Sequence, residues 1–247
     1  YQSLLKSNDY NLVYKKAIEY YNKGDYQRAM NLLDGVRSVF VGQAKAQNIA
    51  YYRAFCSYNM KDYQIASDLF KQFIQTYPES SFAEECLYMM GFCDYKASPK
   101  PRLDQQVTEK AIREFQLYLS RYPYSMRKDK VNTYMDEMRD KLSYKAYLSA
   151  KNYYLREHYK AAVISLQNCL KDYPGSKYRE EIMYMLFVSK YQMAVNSVED
   201  KKVERYNNAR EEYYYFADEY PNSRYAADVK KMYEDIEAYL ENYKFED

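Results

Sequence analysis

The sequence predicts an all-α protein built from stacked helix pairs, and three observations carry that prediction. The phrase Tyr-Pro-x-Ser occurs four times, in "TYPESSF" from Thr76, "RYPYSMR" from Arg121, "DYPGSKY" from Asp172 and "EYPNSRY" from Glu219. A fixed apolar register precedes each copy. The chain of 247 residues also has only 5 Gly and 6 Pro, so little of it can be turn.

The register becomes regular when counted back from each proline. Tyr63, Ala66, Phe70 and Pro78 set it, and Thr108, Ala111, Phe115 and Pro123 repeat it. Tyr159, Ala162, Leu166 and Pro174 follow, then Tyr206, Ala209, Tyr213 and Pro221. A first copy has Tyr26, Ala29 and Leu33, with Val41 in place of the proline. Each Ala is followed two turns later by Val36, Phe73, Tyr118, Cys169 or Phe216. Spacings of three, four and seven put these residues on one helical face. The Ala suits a place where two helices approach closely. The Pro cannot continue a helix and biases the preceding Tyr away from helical angles. The Ser two residues later is a suitable N-cap for the next helix.

This is the pattern of tetratricopeptide repeats, antiparallel helix pairs stacked into a solenoid. Ala17, Tyr20, Gly24 and Tyr26 also occupy first-helix and turn positions, as do Ala150 and Tyr153 in the fourth copy. The predicted architecture is a solenoid of five helix pairs plus a C-terminal capping helix. That helix puts Tyr225, Val229, Met232, Ile236 and Tyr239 on one face.

Irregular spacings add detail. The segment "SPKPRLDQQV", residues 98–107, reads as a loop inside repeat three. Residues 126–156 contain no Gly or Pro and read as one helix about 46 Å long. The surplus in repeat five falls near "NSVEDKKVE", residues 196–204.

A search for chemistry finds little. Lys plus Arg number 37 and Asp plus Glu 35, with no basic stripe, which argues against nucleic acid as a partner. No apolar run is long enough for a membrane helix. The single histidine, His158, sits in a turn. Cys56, Cys86, Cys93 and Cys169 lack metal-ligand spacing and read as single thiols, so no metal or cofactor is expected. Carboxylates fall on solvated faces, often four residues from a base, as in Glu109 with Arg113 and Glu137 with Lys141. No catalytic group stands out, and a non-enzymatic protein is expected. Tyrosine is the unusual residue, at 35 copies. Pairs such as those in "AYYR", "NYYL" and "EEYYYFADEY" cannot all face a core. Exposed tyrosine gives contact area with one polar handle, which suits a protein-binding scaffold.

Two stretches carry a more specific likeness, "YNKGDYQRAMNLLDGV" and "YMMGFCDYKASPKPRLDQQVTEKAIREFQLYLSRYPYS". With the five repeats they make the chain resemble the BamD family, periplasmic tetratricopeptide lipoproteins of the outer-membrane β-barrel assembly machine. In that family the third repeat carries such a loop and the fourth a long first helix. The resemblance implies a lipid anchor, carried by a Cys upstream of residue 1, at the periplasmic face of the bacterial outer membrane. It implies docking of the C-terminal repeats, residues 126–247, to a periplasmic domain of the β-barrel insertase. It also implies a groove in the N-terminal repeats, residues 1–125, for unfolded outer-membrane proteins or companion lipoproteins. The insertase contact is expected around Tyr178, Arg179, Lys190 and Tyr191, with the Arg beside a corner Ser reaching a partner carboxylate. The groove is expected to use Tyr14, Tyr21, Tyr51 and Tyr52, with Phe40 as an apolar wall and Lys15, Lys45 and Arg53 near a terminal carboxylate. Another periplasmic adaptor for envelope or division proteins is the competing reading, and a hydrolase is a third.

Overall fold

The structure is a computed structural model that describes residues 1–243. Its regular elements there are all helices. A short α1 (Gln2–Leu5) precedes the pairs α2 (Tyr10–Asn22) and α3 (Tyr26–Val36), α4 (Lys45–Asn59) and α5 (Tyr63–Thr76), and α6 (Ala83–Ala97) and α7 (Gln106–Arg121). The next pairs are α8 (Lys128–Leu155) with α9 (Tyr159–Asp172) and α10 (Arg179–Val195) with α11 (Glu199–Glu219), followed by α12 (Ala226–Tyr243). The five pairs and terminal helix of a tetratricopeptide array are therefore present. The loop of repeat three separates α6 from α7, and α8 is the long helix. The surplus in repeat five is helix rather than loop, because α11 begins about two turns ahead of Tyr206. The short α1 had no signal in the repeat register.

Three of the five turns inside pairs use one backbone solution. Gly24, Lys61 and Glu157 take left-handed angles, with φ of 80°, 67° and 61°. The next amide then reaches back five residues, from Asp25 to Tyr20, Asp62 to Ser57 and His158 to Tyr153, each at 3.0 Å. These bonds satisfy carbonyls that the helix end would otherwise leave open. The Asp25 carboxylate then accepts the Arg28 amide and caps α3.

The corners between pairs are equally uniform. The Tyr before each proline takes φ between −132° and −125° and ψ between 59° and 65°, outside the helical region. The amide of each corner Ser donates to the carbonyl of that Tyr, for instance Ser125 to Tyr122 at 3.1 Å. The Ser hydroxyl oxygen accepts the amide two residues on, in Ser80, Ser125, Ser176 and Ser223 alike. The Ser thus caps a short turn that leads into the helix rather than the helix itself, because two further residues lie between them.

Contacts divide the chain into two compact units, Tyr1–Met138 and Arg139–Asp247. The boundary falls inside α8. Val131, Met135 and Met138 of its first turns complete the core of the first unit around Phe70, Phe73, Phe115 and Tyr118. Tyr147 and Ala150 of its later turns belong to a core of the second unit with Leu166 and Leu186. The first turns of α8 thus close the first unit as α12 closes the second, where Val229, Ile236 and Leu240 cover Phe216. The register alanines Ala29, Ala66, Ala111, Ala162 and Ala209 are fully buried. All four cysteines are free and buried. Burial pushes Cys56 and Cys86 up to about 12, so neither offers a thiolate near neutral pH.

Among the five glycines, only Gly91, between α6 and α7, has close neighbours. A Cβ on Gly91 would meet Phe115 Cδ1 at 2.9 Å, and Phe115 is fully buried. Gly35, in α3, has open space around the same atom. Gly91→Ala is expected to lower stability by about 1–3 kcal/mol through overpacking. Gly35→Ala is expected to raise it by up to about 1 kcal/mol through helix propensity. Urea titration of the two variants measures both signs.

Candidate functional site

The most continuous surface feature of the first unit is a tier of aromatic rings on α2, α4 and α6. It starts at Tyr21, whose ring meets Tyr52 edge-on at 4.9 Å. Tyr52 touches Tyr51, Tyr51 touches Phe55 at 4.6 Å, and Phe55 leads through Tyr58 to Phe92. Phe92 and Tyr95 close on Tyr134 of α8, at 5.4 and 4.4 Å. These rings are half-buried, so each keeps one face or edge for the neighbour and another for a ligand. Cations lie along the tier, with Lys96 over Phe92 and Lys130 over Tyr134.

The seventh residue of the corner phrase holds this tier in place. Phe82 packs on Tyr51 with centroids 4.6 Å apart. In the second unit Tyr178 stacks on Tyr147 at 4.3 Å and Tyr225 on Tyr184 at 4.0 Å, both nearly parallel. At the remaining corner the residue is Arg127, whose guanidinium lies 4.7 Å over Tyr88. Four corners therefore land on four first-helix tyrosines. Polar groups fix the same contacts. The Tyr51 hydroxyl donates to Glu85 at 2.8 Å, and burial followed by that bond pushes its ionisation above the ordinary range. Lys151 donates to both Tyr147 and Glu181.

A cavity of about 530 Å³ opens at the start of the tier. Tyr14, Lys15, Ile18, Glu19, Asn22, Asn48, Tyr51, Tyr52 and Phe82 line it, with Glu19 paired to Lys16. The structure thus brings together Tyr14, Tyr51 and Tyr52, with Lys15 at the wall. Tyr21 supports Tyr52 from behind, and burial raises its phenol to about 12. Phe40 is only 4% exposed and packs under Tyr14, so it is core rather than an exposed wall. Lys45 lies over the Tyr14 and Phe40 rings and donates to Asn11 at 2.5 Å. Arg53 turns toward α3, pairing with Asp34 at 2.5 Å, and does not line the cavity.

In the second unit the four expected contact residues are each engaged within the fold. Arg179 makes a two-point pair with Glu219, at 2.5 and 3.0 Å. Lys190 pairs with Glu212. Tyr191 donates to Asp235 at 3.2 Å, and burial first, then Asp235, pushes its phenol to about 12. Tyr178 is the corner ring on Tyr147. Arg179 and Tyr178 sit together at one corner, while Lys190 and Tyr191 lie about three turns along α10. His158 is exposed on the rim of a second cavity of about 620 Å³, beside Lys160, Ile164, Met193 and Arg205.

One acidic pair escaped the sequence reading. Asp94 of α6 and Glu114 of α7 are both buried. Lys110 reaches Asp94 at 2.8 Å and Glu114 at 3.6 Å, and Ser67 donates to Asp94. Their sequence separation gave no hint, since the loop of repeat three lies between them. The cluster sits between α5, α6 and α7, away from the ring-lined cavity, and is structural.

The sequence model of one family matches residues 6–181 and 145–246, and that family is described as YfiO, outer membrane lipoprotein. The chain belongs to this family. The resemblance to BamD-type lipoproteins is thereby established, and among the described residues no helix is long and apolar enough to cross a membrane. No curated protein matches the chain. Among solved structures, a TPR repeats protein from Bacteroides fragilis matches at 13% identity over 94% of this chain and 99% of that one, with a TM-score of 0.44. The TPR2AB domain of yeast Sti1, solved in complex with pHsp90, matches at 13% identity over 92% and 98%, with a TM-score of 0.41. Human IFIT1 matches at 16% identity over 93% and 56%, with a TM-score of 0.33.

The acidic cluster makes a pH prediction. Burial first, then the bond to Asp94 and its charge, raise Glu114 to about 8 from an ordinary 4.5. The folded state then keeps a proton that the unfolded chain releases. This contribution should fall as pH rises from about 4.5 to about 8 and stay level above that. Glu114→Gln should flatten that fall, leaving the variant with the higher melting temperature at pH above 8. Thermal melts of both proteins across this range check the sign.

Proposed function

We propose that the chain is a non-enzymatic protein-binding scaffold of the outer-membrane protein assembly complex. It is held at the periplasmic face of the outer membrane by a lipid anchor. Residues 126–247 dock a periplasmic domain of the β-barrel insertase, and residues 1–125 receive unfolded barrel segments or companion lipoproteins. Family membership supports the setting. The observation that carries the binding role is the ring-lined cavity of repeats one and two, with Lys15 at its wall. An extended peptide ending in an aromatic residue and a carboxylate, such as the last strand of a barrel, matches it in chemistry. Aromatic anchors supply most of the affinity in such grooves, and the cation adds orientation.

The pair between Arg179 and Glu219 refines the docking proposal. The guanidinium already has one carboxylate, so a partner would add a second acceptor to a pre-oriented fork rather than capture a free side chain.

Two experiments test this reading. Photoreactive residues at 14, 51 and 52 should crosslink to an aromatic-ended barrel-strand peptide, while residues at 178 and 191 should not. Equal labelling in both units, or labelling only at 178 and 191, would remove the N-terminal site. For docking, Arg179→Glu should weaken co-purification of the insertase. Arg179→Glu with Glu219→Arg should restore the internal pair and the thermal melt without restoring co-purification. Full co-purification by the double variant would show that Arg179 acts within the fold alone.

A further inference from the structure

The four corners share one backbone, and two of the positions at which their phrases differ, the fourth and sixth, flank the corner Ser. These are Glu79 and Ser81, Gly175 and Lys177, and Asn222 and Arg224 at three corners. At the corner between α7 and α8 they are Tyr124 and Met126. Tyr124 is 97% exposed and Met126 is 102% exposed. The fold does not need apolar groups here, since three corners form without them. Nothing in the first unit covers either side chain.

The pair is held out on a rigid mount. The Tyr122 amide donates to the Tyr118 carbonyl at 2.8 Å, and the Lys128 amide to the Ser125 carbonyl at 3.1 Å. The Ser125 hydroxyl donates to Glu84 at 2.7 Å. Arg121, Lys128 and Lys130 are exposed on either side of it in the chain, half-buried Arg127 pairs with Glu85, Glu84 takes the Ser125 hydroxyl, and Asp129 is the one acid within residues 121–130. A protruding aromatic and thioether with a basic skirt complements a soft, flat, anionic surface and needs no shaped pocket.

We infer that this corner is a membrane-surface contact, in which Tyr124 and Met126 enter the headgroup region of an anionic bilayer while Arg121, Lys128 and Lys130 meet its phosphates. Tyrosine favours the headgroup level, burial of the Met side chain adds hydrophobic partition, and each base gains from the negative surface potential. Membership in a family of outer membrane lipoproteins keeps a bilayer within reach. Two side chains and three or four charges make a weak contact. Its effect is to orient a chain that is held by other means. The inference stands apart from insertase docking, because it needs only lipid.

The test uses a property of the composition. The chain has no tryptophan, so Tyr124→Trp creates a single reporter at the corner. Vesicles of phosphatidylethanolamine with phosphatidylglycerol should blue-shift its emission, reversibly with salt. Vesicles of phosphatidylcholine alone should not. Asn222→Trp, at the matching position of another corner, should stay unshifted. In flotation with the anionic vesicles, Tyr124→Ser with Met126→Ser should reduce the bound fraction about tenfold. No shift at position 124, an equal shift at 222, or unchanged flotation of the double variant would overturn the inference. A protein partner for the corner would give the first of these outcomes.

Discussion

The structure depends on what a proline does to the tyrosine before it. Each corner proline removes an amide from the helix ladder and drives the preceding residue out of helical angles. The chain must then turn within a few residues, and a serine carries it through a short capped turn into the next helix. Because that path is the same at all four corners, the seventh residue of the phrase always arrives over a first-helix tyrosine. Phe82 on Tyr51, Tyr178 on Tyr147 and Tyr225 on Tyr184 are one contact repeated, and Arg127 over Tyr88 is its cationic version. The small residues at the helix crossings, above all Gly91 beneath Phe115, allow the approach that makes those landings possible.

The ring tier follows from this geometry, and with it the surface proposed to bind. An aromatic side chain that is half-covered by its neighbour is already ordered, so a ligand meets it at low entropic cost. In the first unit the tier opens into a cavity where Tyr14, Tyr51 and Tyr52 converge beside Lys15. Hydrogen bonds brace the rings in both units, Tyr51 to Glu85 in the first and Lys151 to Tyr147 and Glu181 in the second.

The fold was legible because proline, alanine and aromatic residues recur in one register, and each has a backbone or packing reason to be where it is. The loop of repeat three and the long α8 were legible from two prolines and from the absence of breakers. The surplus of repeat five was harder, since charged helix and charged loop look alike in "NSVEDKKVE". Part of the candidate site was legible too, since Tyr14, Tyr51 and Tyr52 meet. Phe40 and Arg53 were not, because nothing local says that one ring sinks under Tyr14 or that one guanidinium turns to Asp34. The ring contacts of the corners were hidden for a similar reason. Their residues stood in the repeated phrase, but insertions in repeats three and five place the partner tyrosines of those repeats farther back along the chain than the other two. The pairing of Asp94 with Glu114 is of the same kind.

The corner ring and the first-helix tyrosine act as one unit in this structure. A double-mutant cycle on Tyr51 and Phe82 tests it directly, with each residue changed to Ala alone and together and stability read by urea titration. The account predicts a favourable coupling of about 0.5–1.5 kcal/mol, the range of aromatic pairs in contact. Additive losses, with no coupling, would contradict it.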